Sequence, residues 1–324
     1  MSKPVCQGCQ SMTTMTIEIL YHNEGEDPDE WLPALSAALP EANIRQWQAG
    51  DTAPADYALV WHPPEGLLEN RKGLKAVFNL AAGVDALLAS GAVPEDVPVF
   101  RLEDAGMAIQ IAEYAVYAVL RFFRRFDGYA RLQEQREWGF LPPYSRKDFT
   151  VGIMGMGVMG KAVAEKLKPF GFPVKGWSRT PKQIEGVTCC HGKAGLADFL
   201  KNLKVLVCLL PKTPETVHIL NAGLFERLPD GAFVVNLGRG NLLDEKDLLK
   251  GLETGKIRAA VLDVTAVEPL PEDHPFWGHP DITITPHIAG LTYCEETVAV
   301  VAESIRQLEC GKTPSGLVDR NLGY

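Results

Sequence analysis

Residues 151–161 read Val-Gly-Ile-Met-Gly-Met-Gly-Val-Met-Gly-Lys, which puts glycines at 155, 157 and 160 in a G-x-G-x-x-G pattern. Alone that pattern is weak. Here an apolar, strand-like run precedes it, and a helical pattern through Val163, Leu167 and Phe170 follows, which is the context the motif requires. Gly155 permits the tight turn, Gly157 lets backbone approach a pyrophosphate, and Gly160 lets helix and strand pack closely. The free N–H groups at the helix N-terminus then hold phosphate. The chemistry these residues support is dinucleotide binding.

The next strand indicates which dinucleotide. A binder of the unphosphorylated ribose usually carries Asp or Glu there to accept from the 2′-hydroxyl. This chain has Trp177-Ser178-Arg179-Thr180, and no acid appears before Glu185. Arg179 can stack on adenine and pair with a 2′-phosphate, while Ser178 and Thr180 can donate to it and Lys182 adds charge. The expected cofactor is therefore NADPH, with NADH weaker.

Three further residues follow strand-like runs. Arg239 follows 232–236, Glu268 follows 261–264, and His287 follows 282–286. In open α/β sheets, ligands bind beyond the carboxyl ends of the strands. A guanidinium fork suits a carboxylate. A histidine beside a glutamate suits proton transfer to a carbonyl oxygen, because the carboxylate favours the imidazolium.

These residues need a scaffold that sets strand ends side by side. Strands are expected at 17–21, 57–61, 75–80 and 97–101, with a helix near 29–39 and a small-residue turn at 81–85 opening another. From Met107 to Phe126, apolar positions step by three or four, so a long amphipathic helix is predicted there, suited to bridging domains or forming a dimer face. The polar, proline-marked segment 127–148 reads as loop or linker. Strands resume at 149–154, 173–177, 204–209, 232–236, 259–264 and 282–285, and a last helix spans 292–308. Strands alternating with helices predict an α/β fold with parallel sheets.

Composition narrows the partners. The chain has 324 residues with 32 Lys+Arg against 41 Asp+Glu, a net charge of −9, which excludes a general nucleic-acid or acidic-membrane binder. No apolar run reaches the length of a membrane span. The 7 cysteines are odd in number and Cys189 and Cys190 are adjacent, so they do not form a disulfide framework, and a cytoplasmic protein is expected. Cys6-x-x-Cys9 lacks a second ligand pair, and His22, His191, His218, His274 and His279 show no ligand spacing, so no metal is expected. Residues 1–15 read as a disordered leader. His62 and Trp138 read as loop and surface residues.

Asn236-Leu237-Gly238-Arg239-Gly240, Leu262-Asp263-Val264 with Glu268-Pro269-Leu270, and Thr285-Pro286-His287-Ile288-Ala289-Gly290 resemble the signatures of the D-isomer-specific 2-hydroxyacid dehydrogenases. The resemblance runs from about residue 16 onward. Within that family, Trp61-His62-Pro63-Pro64, Phe123-Arg124-Arg125-Phe126-Asp127 and Gly323-Tyr324 are most similar to the branch acting on glyoxylate and hydroxypyruvate. The resemblance implies a Rossmann-type doubly wound cofactor domain at 105–288 and a flavodoxin-like substrate domain at 16–104 plus 289–324. It also implies a homodimer through the long helix. It assigns Arg239 to the carboxylate and carbonyl of a small 2-oxo acid, His287 to proton donation and Glu268 to keeping that histidine charged. Asp263 would meet the nicotinamide side of the cofactor, and backbone N–H groups near Ala82, Gly83 and Val84 would grip the carboxylate. The implied reaction is NADPH-dependent reduction of glyoxylate to glycolate and of hydroxypyruvate to D-glycerate. Pyruvate, phenylpyruvate and a 2-ketogluconate remain alternative substrates. A regulator that merely senses the dinucleotide is the alternative from another class, and the full Arg239, Glu268 and His287 set argues against it.

Overall fold

The computed structural model describes residues 16–69 and 71–324; the expected leader, with Cys6 and Cys9, lies outside them. The chain forms two compact units. The first holds the described residues up to Ala81, Ala86–Leu102 and Val298–Val318. The second holds Ala82–Asp85, Glu103–Thr297 and Asp319–Tyr324. Contacts change sides after Ala81, Asp85, Leu102, Thr297 and Val318.

The first unit runs β1 (Ile17–Asn23), α1 (Pro28–Ala38), β2 (Ala42–Gln46), β3 (Tyr57–Trp61), β4 (Ala76–Asn79), α2 (Asp85–Ala89, from Ala86 on) and β5 (Val99–Arg101). All the pairings are parallel, in the order β2-β1-β3-β4-β5. That is the flavodoxin-like order 2-1-3-4-5. Ala58, Leu59 and Val60 are each 0% exposed, as a parallel strand covered on both faces requires. Residues 298–318 return to this unit: Tyr57 Oη donates to Glu309 at 2.6 Å, Lys75 pairs with Glu309 at 2.8 Å, and the Val318 N–H reaches the Val99 carbonyl at 2.9 Å.

The second unit runs α3 (Met107–Phe123), α4 (Phe126–Glu134), β6 (Thr150–Met154), α5 (Val158–Leu167), β7 (Val174–Ser178), β8 (Val187–His191), α6 (Leu196–Leu200), β9 (Leu203–Cys208), α7 (Ala222–Phe225), β10 (Ala232–Asn236), α8 (Glu245–Glu253), β11 (Ile257–Leu262) and β12 (Ile282–Ile284). Helix α9 (Cys294–Glu309) starts here and continues into the first unit. The sheet order is β12-β11-β10-β9-β6-β7-β8, with parallel pairing throughout. Counted from β6, this is the Rossmann order 3-2-1-4-5-6 with one added strand, and its switch point lies between β6 and β9.

The period of two along each strand splits the core. Val151, Ile153, Val205, Val207, Phe233 and Val235 face α3 and α5, while Met154, Leu206, Cys208, Val234 and Leu262 face the opposite layer with Phe199 and Phe225. Phe122 of α3 stacks on Phe233 at 4.1 Å between centroids. Cys208 is a packing residue, since burial pushes its thiol up to about 12.

Four elements differ from expectation. The long helix stops at Phe123 because Arg125 turns left-handed (φ 62°), and its guanidinium donates to the Pro142 carbonyl at 2.9 Å. The segment expected as loop contains α4; its sparse apolar stripe hid it, and it is tied down by the Arg131–Asp281 ion pair. The strands β2 and β8 went unread because these edge strands are polar, here Asn43, Arg45 and Gln46, and Thr188 and His191.

Candidate active site

Strand β6 ends in Met154, and the Gly155 N–H bonds the Trp177 carbonyl at 2.9 Å. Gly155 adopts φ +103°, and a Cβ there would meet the Leu209 carbonyl oxygen at 2.8 Å, so glycine is required. A Cβ at Gly160 would overlap the Gly155 carbonyl oxygen. Gly157 is the residue before α5, with open space in front of it and no side-chain cap. The first N–H groups of α5 are thus left for a ligand, as pyrophosphate binding needs. These features fit a dinucleotide.

At the end of β7, Arg179 and Thr180 are exposed, and the Arg179 guanidinium lies 5.4 Å from the centroid of the Tyr324 ring. Ser178 is 8% exposed and its hydroxyl donates to the Thr180 carbonyl at 2.8 Å. The hydroxyl thus braces the turn on which Arg179 stands. In sheet order β7 and β10 are three spacings apart, about 14 Å at ~4.8 Å per strand. The phosphate-reading residues and the acid–base residues thus stand at opposite ends of one row of strand termini.

At the other end, β10 delivers Arg239. Asn236 is fully buried; its amide donates to the Arg239 carbonyl at 3.0 Å and its oxygen accepts from the Gly238 N–H at 3.3 Å. The Arg239 Nε donates to Asp85 at 3.1 Å and Nη1 to the Gly238 carbonyl at 2.8 Å. The remaining nitrogen, Nη2, lies against Gly83, where a Cβ would overlap it. Gly83 is thus brought to Arg239, and its neighbour Val84 turns its own side chain inward at 2% exposure.

His287 follows β12, and its Nδ1 lies 2.8 Å from Glu268 Oε2, while Glu268 Oε1 accepts from the Thr265 N–H at 3.0 Å. Burial pushes the Glu268 carboxyl up, but the His287 and Thr265 hydrogen bonds and the charges of His287 and Arg239 outweigh it and hold the group below its ordinary value. His287 sits at φ +57°, a left-handed conformation that non-glycine residues keep only when their surroundings hold it. Asp263 supplies that hold. It is 2% exposed, its carbonyl accepts from the His287 N–H at 2.8 Å, and its carboxylate accepts from the N–H groups of Ile288 (2.9 Å) and Ala289 (2.8 Å). The Thr285 hydroxyl donates to the same carboxylate at 2.6 Å and lies 2.5 Å from Tyr114 Oη. Asp263 thus carries the turn that bears His287, a role that the sequence reading did not assign to it.

Sequence reasoning missed Asp85, Asn236 and Tyr114. Asn236 was findable as a polar residue closing an apolar strand. Asp85 follows the small-residue turn but gains meaning only from Arg239, far along the chain. Tyr114 sits in the apolar stripe of α3 and reads as core. Among the described residues, no group of three or more His, Cys, Asp or Glu could hold a metal ion. No described helix is long and apolar enough to cross a membrane.

Fold and site together define a dinucleotide-binding α/β protein with a carboxylate-supported histidine beside an arginine. Residues 116–289 match the model of the D-isomer specific 2-hydroxyacid dehydrogenase NAD binding domain. A glyoxylate/hydroxypyruvate reductase A of Serratia proteamaculans is 52% identical over 313 residues, 95% of this chain and 100% of that one. Its counterpart from Yersinia enterocolitica is 50% identical over the same coverage. Among solved structures, a D-isomer specific 2-hydroxyacid dehydrogenase of Xanthobacter autotrophicus in complex with NADPH and MES superposes with a TM-score of 0.91 at 38% identity, covering 95% of this chain and 100% of that chain. An NADPH-dependent glyoxylate/hydroxypyruvate reductase of Sinorhizobium meliloti, in complex with NADP and sulfate, gives 0.89 at 35% identity with the same coverage. The chain belongs to the D-isomer specific 2-hydroxyacid dehydrogenase family.

Proposed function

We propose that this chain is an NADPH-dependent reductase of small 2-oxo acids, converting glyoxylate to glycolate and hydroxypyruvate to D-glycerate. The observation that carries the reading is the His287–Glu268 pair at 2.8 Å on strand ends next to that of Arg239. The printed names of the relatives supply the substrates, and the NADPH and NADP complexes among the similar structures support the cofactor. Gly155, Gly157 and Gly160 with the first turn of α5 would hold the pyrophosphate, and Arg179 with Thr180 the 2′-phosphate.

When bound, NADPH supplies the hydride to the 2-oxo carbon. The residues do the rest. The Arg239 guanidinium and the backbone of Ala82–Val84 hold the substrate carboxylate; Asp85 fixes the guanidinium by its Nε. The Nδ1 of His287 is taken by Glu268, so Nε2 is the atom that gives a proton to the carbonyl oxygen. Charge developing on that oxygen is stabilised by Arg239 and the imidazolium together. Glu268, held below its ordinary value, stays ionised and orients the ring through Nδ1. Asp263 holds the turn in place throughout.

In the same reading, residues 105–288 form the cofactor domain, and 16–104 with 289–324 form the substrate domain. We further propose a homodimer in the cytoplasm. The exposed side chains of Tyr117, Phe126, Trp138 and Phe140 around α3 and α4 support self-association, and the free cysteines among the described residues support a reducing compartment. A steady-state panel of glyoxylate, hydroxypyruvate, pyruvate, phenylpyruvate and 2-ketogluconate, each with NADPH and with NADH, tests the reading. Oxidation of NADPH by the first two acids is expected. A purified protein that oxidises NADPH with neither overturns it.

A further inference from the structure

Residues 298–318 belong to the first unit, but the last six, Asp319–Tyr324, cluster with the dinucleotide-binding unit. They do so as a closed turn. The Asp319 carboxylate accepts from the N–H groups of Asn321 (2.9 Å) and Leu322 (3.3 Å), its carbonyl accepts from Gly323 (2.9 Å), and its own N–H reaches the Tyr324 carbonyl at 3.2 Å. Gly323 takes φ +78°, which swings Tyr324 back. The ring so presented is the one 5.4 Å from the Arg179 guanidinium.

Arg179 is exposed, and an exposed arginine samples many rotamers unless something holds its plane. The turn beneath it is already braced: Trp177 Nε1 donates to the Gly192 carbonyl at 2.9 Å, and the Gly192 N–H to the Ser178 carbonyl at 3.0 Å. The backbone is thus fixed and the guanidinium is the moving part. A guanidinium has two faces and an edge. An aromatic ring on one face leaves the other for adenine and the edge for a phosphate.

We infer that Tyr324 is a positioning residue for cofactor choice: its ring holds the Arg179 guanidinium in the plane that reads the 2′-phosphate, so that the residues 319–324 turn favours NADPH over NADH. The inference rests on the assignment of Arg179 to the 2′-phosphate made above.

The test measures dissociation constants for NADPH and NADH separately, by titrating nicotinamide fluorescence, in the full-length protein. The variants are Tyr324→Ala, Tyr324→Phe, Arg179→Ala and the Arg179→Ala/Tyr324→Ala double. An exposed cation–π contact implies that Tyr324→Ala weakens NADPH about two- to fivefold and NADH by less. Tyr324→Phe keeps the ring and binds both as the parent does. In the Arg179→Ala background, loss of Tyr324 adds nothing, because the two residues act as one unit. A Tyr324→Ala variant that leaves NADPH binding unchanged, or weakens both cofactors equally, overturns the inference; so does a Phe variant as poor as Ala. If Arg179→Ala discriminates the cofactors while Tyr324→Ala is silent, the assignment of Arg179 stands and only the role of Tyr324 falls. If Arg179→Ala weakens both cofactors equally, the assignment of Arg179 falls and the inference falls with it.

Discussion

The two ends of the row of strand termini are built to different tolerances. At the β11–β12 end, Asp263, Thr285, Glu268 and the N–H groups of Thr265, Ile288 and Ala289 enclose His287 in a mesh of bonds between 2.6 and 3.0 Å. At the β7 end, Arg179 stands exposed, with the Tyr324 ring 5.4 Å away and the Glu215 charge within its reach. The difference follows from what each end must do. A proton moves only across hydrogen-bond distance, so its donor is held to tenths of an ångström. A phosphate is recognised by charge, which falls off slowly with distance, so its reader needs a plane and a direction more than a fixed point. Changes at the tight end should therefore affect turnover, and changes at the loose end cofactor preference.

The largest effect tests the tight end directly. His287→Ala should lower turnover by ~10²–10⁴, the range of a general acid, with NADPH binding preserved. Near-parent turnover in a folded variant would remove the histidine from the chemistry and dissolve the contrast.

Gly83→Ala asks whether the arginine is held as tightly as the histidine. The new Cβ overlaps the guanidinium and forces it off the Asp85 bond or away from the substrate. Misplacement by about 1 Å implies a loss on the order of 10²-fold in kcat/KM for the 2-oxo acid. NADPH affinity should not change. A variant with parent kinetics would show that Arg239 has room to retreat.

Much of this contrast was legible beforehand, and the reason is positional. Parallel strands announce themselves as apolar runs such as 232–236, and a charged residue just past such a run stands at a strand end whatever the rest of the fold does. That is how Arg239, Glu268 and His287 came to attention. What pairs with them was not legible. Asp85 meets Arg239 from 154 positions away, and Tyr114 meets Thr285 from 171. No local pattern encodes such a meeting. The edge strands β2 and β8 and the helix α4 stayed hidden because each buries too little apolar surface to leave a periodic trace.

Glu268→Gln sharpens the comparison through pH. Glu268 is held below its ordinary value of 4.5, so it is ionised near neutrality. A neutral amide binds Nδ1 more weakly than the carboxylate does, so turnover near neutrality should fall about tenfold with NADPH affinity unchanged. Parent turnover would mean that the turn alone positions the ring. The same pair bears on folding. A carboxyl lowered in the folded state contributes stability that is complete above its unfolded value and is lost as pH falls through its folded value. Thermal unfolding followed downward from pH 5 should therefore show the parent losing stability more steeply than the Gln variant.

The smallest effect probes how far the tight mesh extends. Thr285 donates its proton to Asp263, so at 2.5 Å Tyr114 must donate to Thr285. Burial raises the Tyr114 hydroxyl above its ordinary value, the Thr285 bond working against it and the nearby Asp263 charge with it, so the proton stays on at any working pH. Tyr114→Phe removes one neutral hydrogen bond two steps from His287 and keeps the ring in its packing. The mesh loosens at its far corner, and kcat should fall about two- to tenfold, the worth of one such bond, with the KM for NADPH unchanged. A matching rise in the KM for NADPH would mean that Tyr114 supports the sheet as a whole. An unchanged kcat would place the limit of the mesh at Thr285, where the threonine and the two backbone N–H groups suffice to keep Asp263 under the histidine turn.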